Sequence, residues 1–270
     1  MDVNRLPREV WGGAGAYERY VGRWSRPVAR EFLARLNLPA GRAWVDVGCG
    51  TGALSAAILA TADPAEVVGI DRAAGFIEAV RNGIADDRTR FEVADATQLP
   101  FAQAGFDVAV SGLVLNFVAD PPAMLREMSR VTKSGGTVAA YVWDYAGGMG
   151  MMRAFWDAAI AVNPNDAKLD QAERFPLCQP EPLAALWREQ GLQAVEVWAI
   201  DIPTVFRDFG DFWEPFLGQQ GAAPTYLASV DAQTQERIRA YLENQLMADA
   251  AGHLALSARA WAVRGTVGGR

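Results

Sequence analysis

The sequence predicts an α/β fold, a mostly parallel sheet covered by helices on both faces. Three observations carry this reading. Short strands of continuous apolar character alternate with helical stretches through the first half of the chain, as strands buried on both faces require. One of these strands runs into a glycine loop, Gly48-Cys-Gly-Thr-Gly52, that opens directly into a helix. The 270 residues are 51% hydrophobic and 21% charged, which suits one large domain with ample core.

Taken in order, residues 1–24 are polar, aromatic and glycine-bearing, with no clean period. Ser25 reads as the N-cap of a first helix and Pro27 falls in its first turn; Val28, Phe32, Leu33 and Leu36 recur at helical spacing. Strand one begins at Ala43, and the helix after the glycine loop spans Leu54 to Thr61. Val67 to Ile70 is a second strand, followed by a helix from about Ala73 to Asn82. Thr89 to Ala94 and Phe106 to Ser111 are the third and fourth strands. Pro121 and Pro122 open a helix, Ala123 to Thr132, which Gly135-Gly136 should stop before a fifth strand, Thr137 to Trp143.

After Trp143 the rhythm changes. A helix at Met151–Val162, an irregular proline-bearing stretch to Pro182 and a helix at Leu183–Gln190 lead to a strand near Ala194–Ile202. An aromatic-rich segment, Phe206 to Tyr226, precedes a helix from about Asp231 to Met247 and a last strand near Leu254–Arg264.

Bulk properties narrow the partners. A net charge of −7, without a run of four Lys or Arg, opposes a sequence-independent grip on nucleic acid. Two distant cysteines and a single histidine, His253, make neither a recognisable zinc site nor a structural disulfide. Residues 1–17 lack a signal-peptide profile, and no apolar run is long enough for a membrane span. The expectation is a cytoplasmic protein with no metal, no nucleic-acid partner and no integral membrane segment.

The strand tips name a ligand class. In open α/β sheets ligands bind outside the carboxyl ends of the strands. Glycines 48, 50 and 52 leave backbone bare for a flat ligand, and Asp71 at the tip of strand two stands where a ribose diol is gripped. Asp46, two residues before the loop, opposes a pyrophosphate but suits a cationic amino-acid group. Asp95, at the third tip, can accept a hydrogen bond from an adenine amino group. A ribose, an adenine and a sulfonium without phosphate are the features of S-adenosyl-L-methionine.

Asp46-Val-Gly-Cys-Gly-Thr-Gly52, Gly69-Ile-Asp71, Ala94-Asp-Ala-Thr-Gln-Leu-Pro100 and Phe106-Asp-Val-Ala-Val-Ser111 resemble the successive motifs of class I S-adenosylmethionine-dependent methyltransferases. The style is that of the small-molecule branch that includes ubiquinone and menaquinone biosynthesis enzymes. The likeness covers about residues 15–145. It implies a Rossmann-like, seven-stranded sheet with its last strand antiparallel, and a helical, aromatic insert over the strand tips. The corresponding division is a cap segment and helix at 1–40, a cofactor-binding core at 41–145, and an acceptor-side insert with the closing strands at 146–270 of the same domain.

Carried over by position, the resemblance puts Gly48 and Gly50 under the methionine part of the cofactor and Asp46 at its amino group. Asp71 would hold the ribose hydroxyls, Arg72 would lie beside the adenine and Phe76 on its edge. Asp95 and Ala96 would address the adenine amino group and ring nitrogen, and Ser111 and Leu113 the path of the methyl group. Tyr20 and Arg23 match leading-segment residues that close over the cofactor's carboxylate. The family often carries a His after strand four, where Asn116 stands instead. Trp143, Trp156 and Trp213 fall where an acceptor pocket is expected, and the insert's aromatic content favours an apolar or aromatic small molecule. An NAD-dependent oxidoreductase is the alternative, although Ala53 stands where its third glycine belongs and a Tyr-x-x-x-Lys pair is missing. A non-catalytic cofactor-binding module is another, against which the intact glycines and acids argue.

Overall fold

The computed structural model of the protein describes Gly15, residues 18–218 and residues 221–269. Of the expected cap segment, residues 1–14, 16 and 17 lie outside the described residues. The strands are β1 (Ala43–Val47), β2 (Glu66–Asp71), β3 (Thr89–Val93), β4 (Phe106–Gly112), β5 (Thr132–Trp143), β6 (Gln193–Phe206) and β7 (Leu254–Thr266). They form one seven-stranded sheet in the order β3-β2-β1-β4-β5-β7-β6. β1 through β5 pair in parallel, and β7 runs antiparallel to both of its neighbours, as expected.

The eight longer helices are α1 (Arg23–Leu36), α2 (Ala53–Thr61), α3 (Ala74–Gly83), α4 (Pro121–Val131), α5 (Gly150–Val162), α6 (Pro180–Glu189), α7 (Ala222–Ser229) and α8 (Ala232–Gln245). By contact density the described chain divides into two compact units. One holds Trp24–Val142, Leu177–Ile200 and Ala260 onward; the other holds the described residues up to Arg23, Trp143–Pro176 and Asp201–Arg259.

In the sheet unit, helices cover both faces. Val45 and Val47 of β1, Val68 and Ile70 of β2, and Ala140 and Val142 of β5 pack with Met124 and Met128 of α4 and with Leu183 and Trp187 of α6. The Trp187 indole donates to the Val138 carbonyl at 3.1 Å, which locks α6 in register. Alternate residues face the opposite side. There Phe32 of α1 packs on Tyr141 of β5, ring centroids 4.7 Å apart, and Ile77 and Val80 of α3 pack on Phe91 of β3. Asp46 shares this second face.

Three local expectations are corrected. A π-helical turn, Glu18–Gly22, runs straight into α1, so the helix is already under way at Ser25, which is buried within it and is not its N-cap. Gly135-Gly136 do not precede β5 but lie inside it. Gly135 has φ +76° and Gly136 passes so close to the Asp107 carbonyl that a Cβ would sit 2.6 Å from it. The pair makes the irregularity that shifts register between Phe106 and Val108. β6 continues past Ile202 to Phe206 because it is an edge strand, where the missing N–H of Pro203 is tolerated.

The other unit is helical and aromatic. Phe155 of α5 stacks on Phe216 at 4.6 Å, and Trp156 lies 5.3 Å from Tyr226 of α7. Two of its buried polar pairs are well formed: the Tyr226 hydroxyl donates to Asp166 at 2.9 Å, and Arg153 meets Asp170 at 2.6 Å. Asp231 caps α8 by accepting from the Thr234 N–H at 2.7 Å.

Candidate functional site

The strand order turns back on itself at β1 and β4, and the carboxyl ends of the strands at such a point are where open α/β sheets bind their ligands. The glycine loop lies on the β1 side. The Gly48 and Cys49 N–H groups both donate to the Ile70 carbonyl at 2.8 Å, tying the loop to the end of β2. All three glycines are left-handed, with φ of +79°, +53° and +87° at 48, 50 and 52, which explains the residue type. They differ in what surrounds them. A Cβ on Gly48 would lie 2.6 Å from Val114, and one on Gly52 would lie 2.4 Å from Val80. A Cβ on Gly50 would meet no atom within 4 Å. Gly48 and Gly52 are therefore required by packing, while Gly50 borders open space.

Asp71 fastens this arrangement. One carboxylate oxygen accepts from the Gly50 N–H at 3.1 Å and the other from the Ala73 N–H at 2.8 Å. Burial pushes the Asp71 carboxyl up from its ordinary range, and these two N–H groups oppose the shift. Asp46 is wholly buried. Its Oδ2 accepts from the Ser55 hydroxyl of α2 at 2.7 Å, and its Oδ1 has no hydrogen-bond partner among the described residues. Desolvation, reinforced by the Asp71 charge, pushes its pKa up to about 7. A buried, unpaired carboxylate oxygen is costly unless something donates to it.

Asp95 is exposed and bends into a turn, its Oδ1 accepting from the Thr97 N–H and hydroxyl at 2.8 and 2.7 Å. Those bonds, with the nearby positive charge of Arg72, hold it below the usual carboxylate range. The same Arg72 acts on Asp71. Phe76 is buried in the first turn of α3, and Ala96 packs against the sheet core. Ser111, next to last in β4, has a buried hydroxyl with no partner among the described residues. Leu113 takes the left-handed conformation at φ +65°, its N–H donating to the Tyr141 carbonyl at 2.8 Å.

Asp46, Gly48, Gly50, Asp71, Arg72, Phe76, Asp95, Ala96, Ser111 and Leu113 thus all belong to the sheet unit, at or just past the carboxyl ends of β1 to β4. Tyr20 and Arg23 belong to the helical unit. There the Tyr20 hydroxyl donates to the Met152 sulfur at 3.1 Å, and Arg23 pairs with Asp211 at 2.9 Å beneath the Phe206 ring. Trp143, Trp156 and Trp213 are buried in that unit too. His253 is exposed, 3.5 Å from Asp249. Ser55 and Val114 were not singled out in the sequence: a serine one turn into a helix and a valine after a strand carry no mark of what they face. Asn116 donates to the Cys178 sulfur at 3.3 Å, and its Oδ1 has no partner among the described residues. Among the described residues no cluster of three His, Cys, Asp or Glu side chains could hold a metal ion.

A family model described as a methyltransferase domain matches residues 45–140. The methyltransferase GfsG of Streptomyces halstedii is 30% identical over 206 residues, 73% of this chain and 70% of that one. A demethylmenaquinone methyltransferase of Clavibacter sepedonicus is 41% identical over 100 residues, 37% of this chain and 40% of the relative. The matched stretch spans less than half the length of the first demethylmenaquinone methyltransferases it resembles. Among solved structures, phosphoethanolamine N-methyltransferase 2 of Haemonchus contortus, in complex with S-adenosyl-L-methionine, has the same fold. Its TM-score is 0.60 at 18% identity, covering 96% of this chain and 57% of that one. These likenesses give no support to the oxidoreductase alternative. The matched core holds the loop and acids just described, the GfsG kinship extends well beyond it, and the chain belongs to the class I S-adenosylmethionine-dependent methyltransferases.

Proposed function

We propose that the protein transfers a methyl group from S-adenosyl-L-methionine to a small-molecule acceptor of apolar or aromatic character. The single observation that carries this reading is the unpaired, buried Oδ1 of Asp46 beside a loop whose Gly50 borders open space. An ammonium group is the donor that such an oxygen lacks, and a phosphate is repelled by it. The residues present fit the cofactor: Gly48 and Gly50 lie under its amino-acid part, Asp46 takes the ammonium, and Asp71 accepts from the ribose hydroxyls. Arg72, Phe76, Asp95 and Ala96 surround the adenine, and Ser111 and Leu113 border the methyl path.

When bound, the sulfonium supplies a methyl group that is already activated. The chain's own task is placement: holding the acceptor in line at near-attack distance and excluding water. His253, exposed and beside Asp249, supports a reaction whose acceptor needs no histidine base. The relatives are named for acceptors as different as demethylmenaquinone and phosphoethanolamine, so their names do not choose one. The aromatic content of the helical unit supports an apolar or aromatic choice. We place the reaction in the cytoplasm, whose reducing poise suits the buried thiol of Cys49.

The test is a panel of acceptors scored by release of the demethylated cofactor. Turnover confined to aromatic or apolar acceptors is expected. Turnover confined to small hydrophilic amines or acids would refute the acceptor class.

A further inference from the structure

We propose that cofactor binding is coupled to proton release: Asp46 receives the cofactor's ammonium as a carboxylate and sheds a proton to solvent when the site fills. This rests on the functional reading above and adds a pH control to the same site.

Asp46 is faced from the sheet, from α2 and from the glycine loop. In the sheet it lies between Gly69 of β2 and Val110 of β4. From α2 comes the Ser55 hydroxyl, its only hydrogen-bond donor among the described residues. From the glycine loop comes Cys49, a buried thiol that burial and the Asp46 and Asp71 charges push well above its ordinary pKa. From the end of β2 comes Asp71, whose negative charge acts on Asp46. The neighbouring β4 residues, Val110 and Ser111, carry no charge. None of these facing groups is a cation. With one hydroxyl for support and a second carboxylate nearby, a full negative charge on Asp46 is disfavoured in the empty site.

An arriving ammonium reverses the balance. It brings the missing positive charge and a donor for Oδ1, so the carboxylate becomes the favoured form and the O–H proton passes to buffer. With the free group titrating at about 7, roughly three quarters of a proton is released per ligand at pH 6.5. Between pH 7.5 and pH 5.5 the apparent affinity falls roughly 25-fold, because the protonated form must first ionise. Above pH 8 the release vanishes.

The experiment is calorimetric titration of the full chain with S-adenosylhomocysteine, which keeps the amino-acid end, at pH 6.5 in phosphate and in imidazole. The heats should differ by about three quarters of the difference in buffer ionisation enthalpy. Ser55→Ala, which removes the one donor, should move the midpoint of proton release to higher pH. Saturable binding with buffer-independent heat would overturn the inference and leave the function standing. A midpoint unmoved in Ser55→Ala would assign the proton to another group and overturn it as well. No binding at millimolar ligand at any pH would overturn the functional reading, and the inference with it.

Discussion

Replacing Asp46 by asparagine should remove a pH-dependent weakness from the ligand-free protein. In the folded state this carboxyl titrates at about 7, against an ordinary value of 3.8. Between those values the native state holds a proton that the unfolded chain has lost, so native stability falls as pH rises through that window. From pH 5 to pH 8 the fall spans about two pH units at ~1.4 kcal/mol each, or ~3 kcal/mol. Asparagine is neutral throughout, so the variant does not share this loss. It pays for a buried amide that Ser55 cannot fully satisfy, about 1–3 kcal/mol, but that cost is the same at both pH values. The quantity to read is therefore the difference between the two proteins at pH 8 minus their difference at pH 5, from urea unfolding followed by circular dichroism. It should favour the variant by ~3 kcal/mol. A value within ~1 kcal/mol of zero would refute the claim that burial strains this carboxylate.

Four further substitutions separate folding from binding. Gly50→Ala carries only the left-handed strain of about 1–2 kcal/mol, since its Cβ meets nothing, yet it should weaken cofactor binding at least tenfold. Gly48→Ala adds a clash with Val114 and should cost ~3 kcal/mol or more in denaturant unfolding; equal stability losses in the two would show that the loop has been misread. Asp71→Ala strands the Gly50 and Ala73 N–H groups, so it should lower stability by about 1–3 kcal/mol and cofactor affinity by at least tenfold in titration. Ser111→Ala removes an unpaired buried hydroxyl and should leave thermal stability unchanged or raised by up to ~1 kcal/mol; a large loss would reveal a partner for that group.

Much of this was legible because it is written in local chemistry. The glycines, the apolar strands and the acid at the tip of β2 stand at fixed spacings from one another, and the candidate residues from Asp46 to Leu113 sit in one unit. What stayed hidden depends on neighbours distant in the chain or on backbone shape. Ser25 has the composition of a cap, but the π-helical turn before it removes the free end that a cap would serve. Gly135-Gly136 has the composition of a helix stop and instead lets β5 pass close to Asp107. The unpaired oxygen of Asp46 follows from Ser55 reaching one side of the carboxylate only, which no periodicity encodes. Gly48 and Gly50 look alike in sequence, and only the position of Val114 tells them apart.

The central claim is that this loop and its two buried acids bind a phosphate-free adenosine cofactor. Calorimetric titration of the purified chain with S-adenosyl-L-methionine and, separately, with NAD addresses it most directly. Saturable binding of S-adenosyl-L-methionine at one site per chain, with no heat from NAD, is the predicted result. Saturation by NAD, or silence toward S-adenosyl-L-methionine at millimolar concentration, would contradict it.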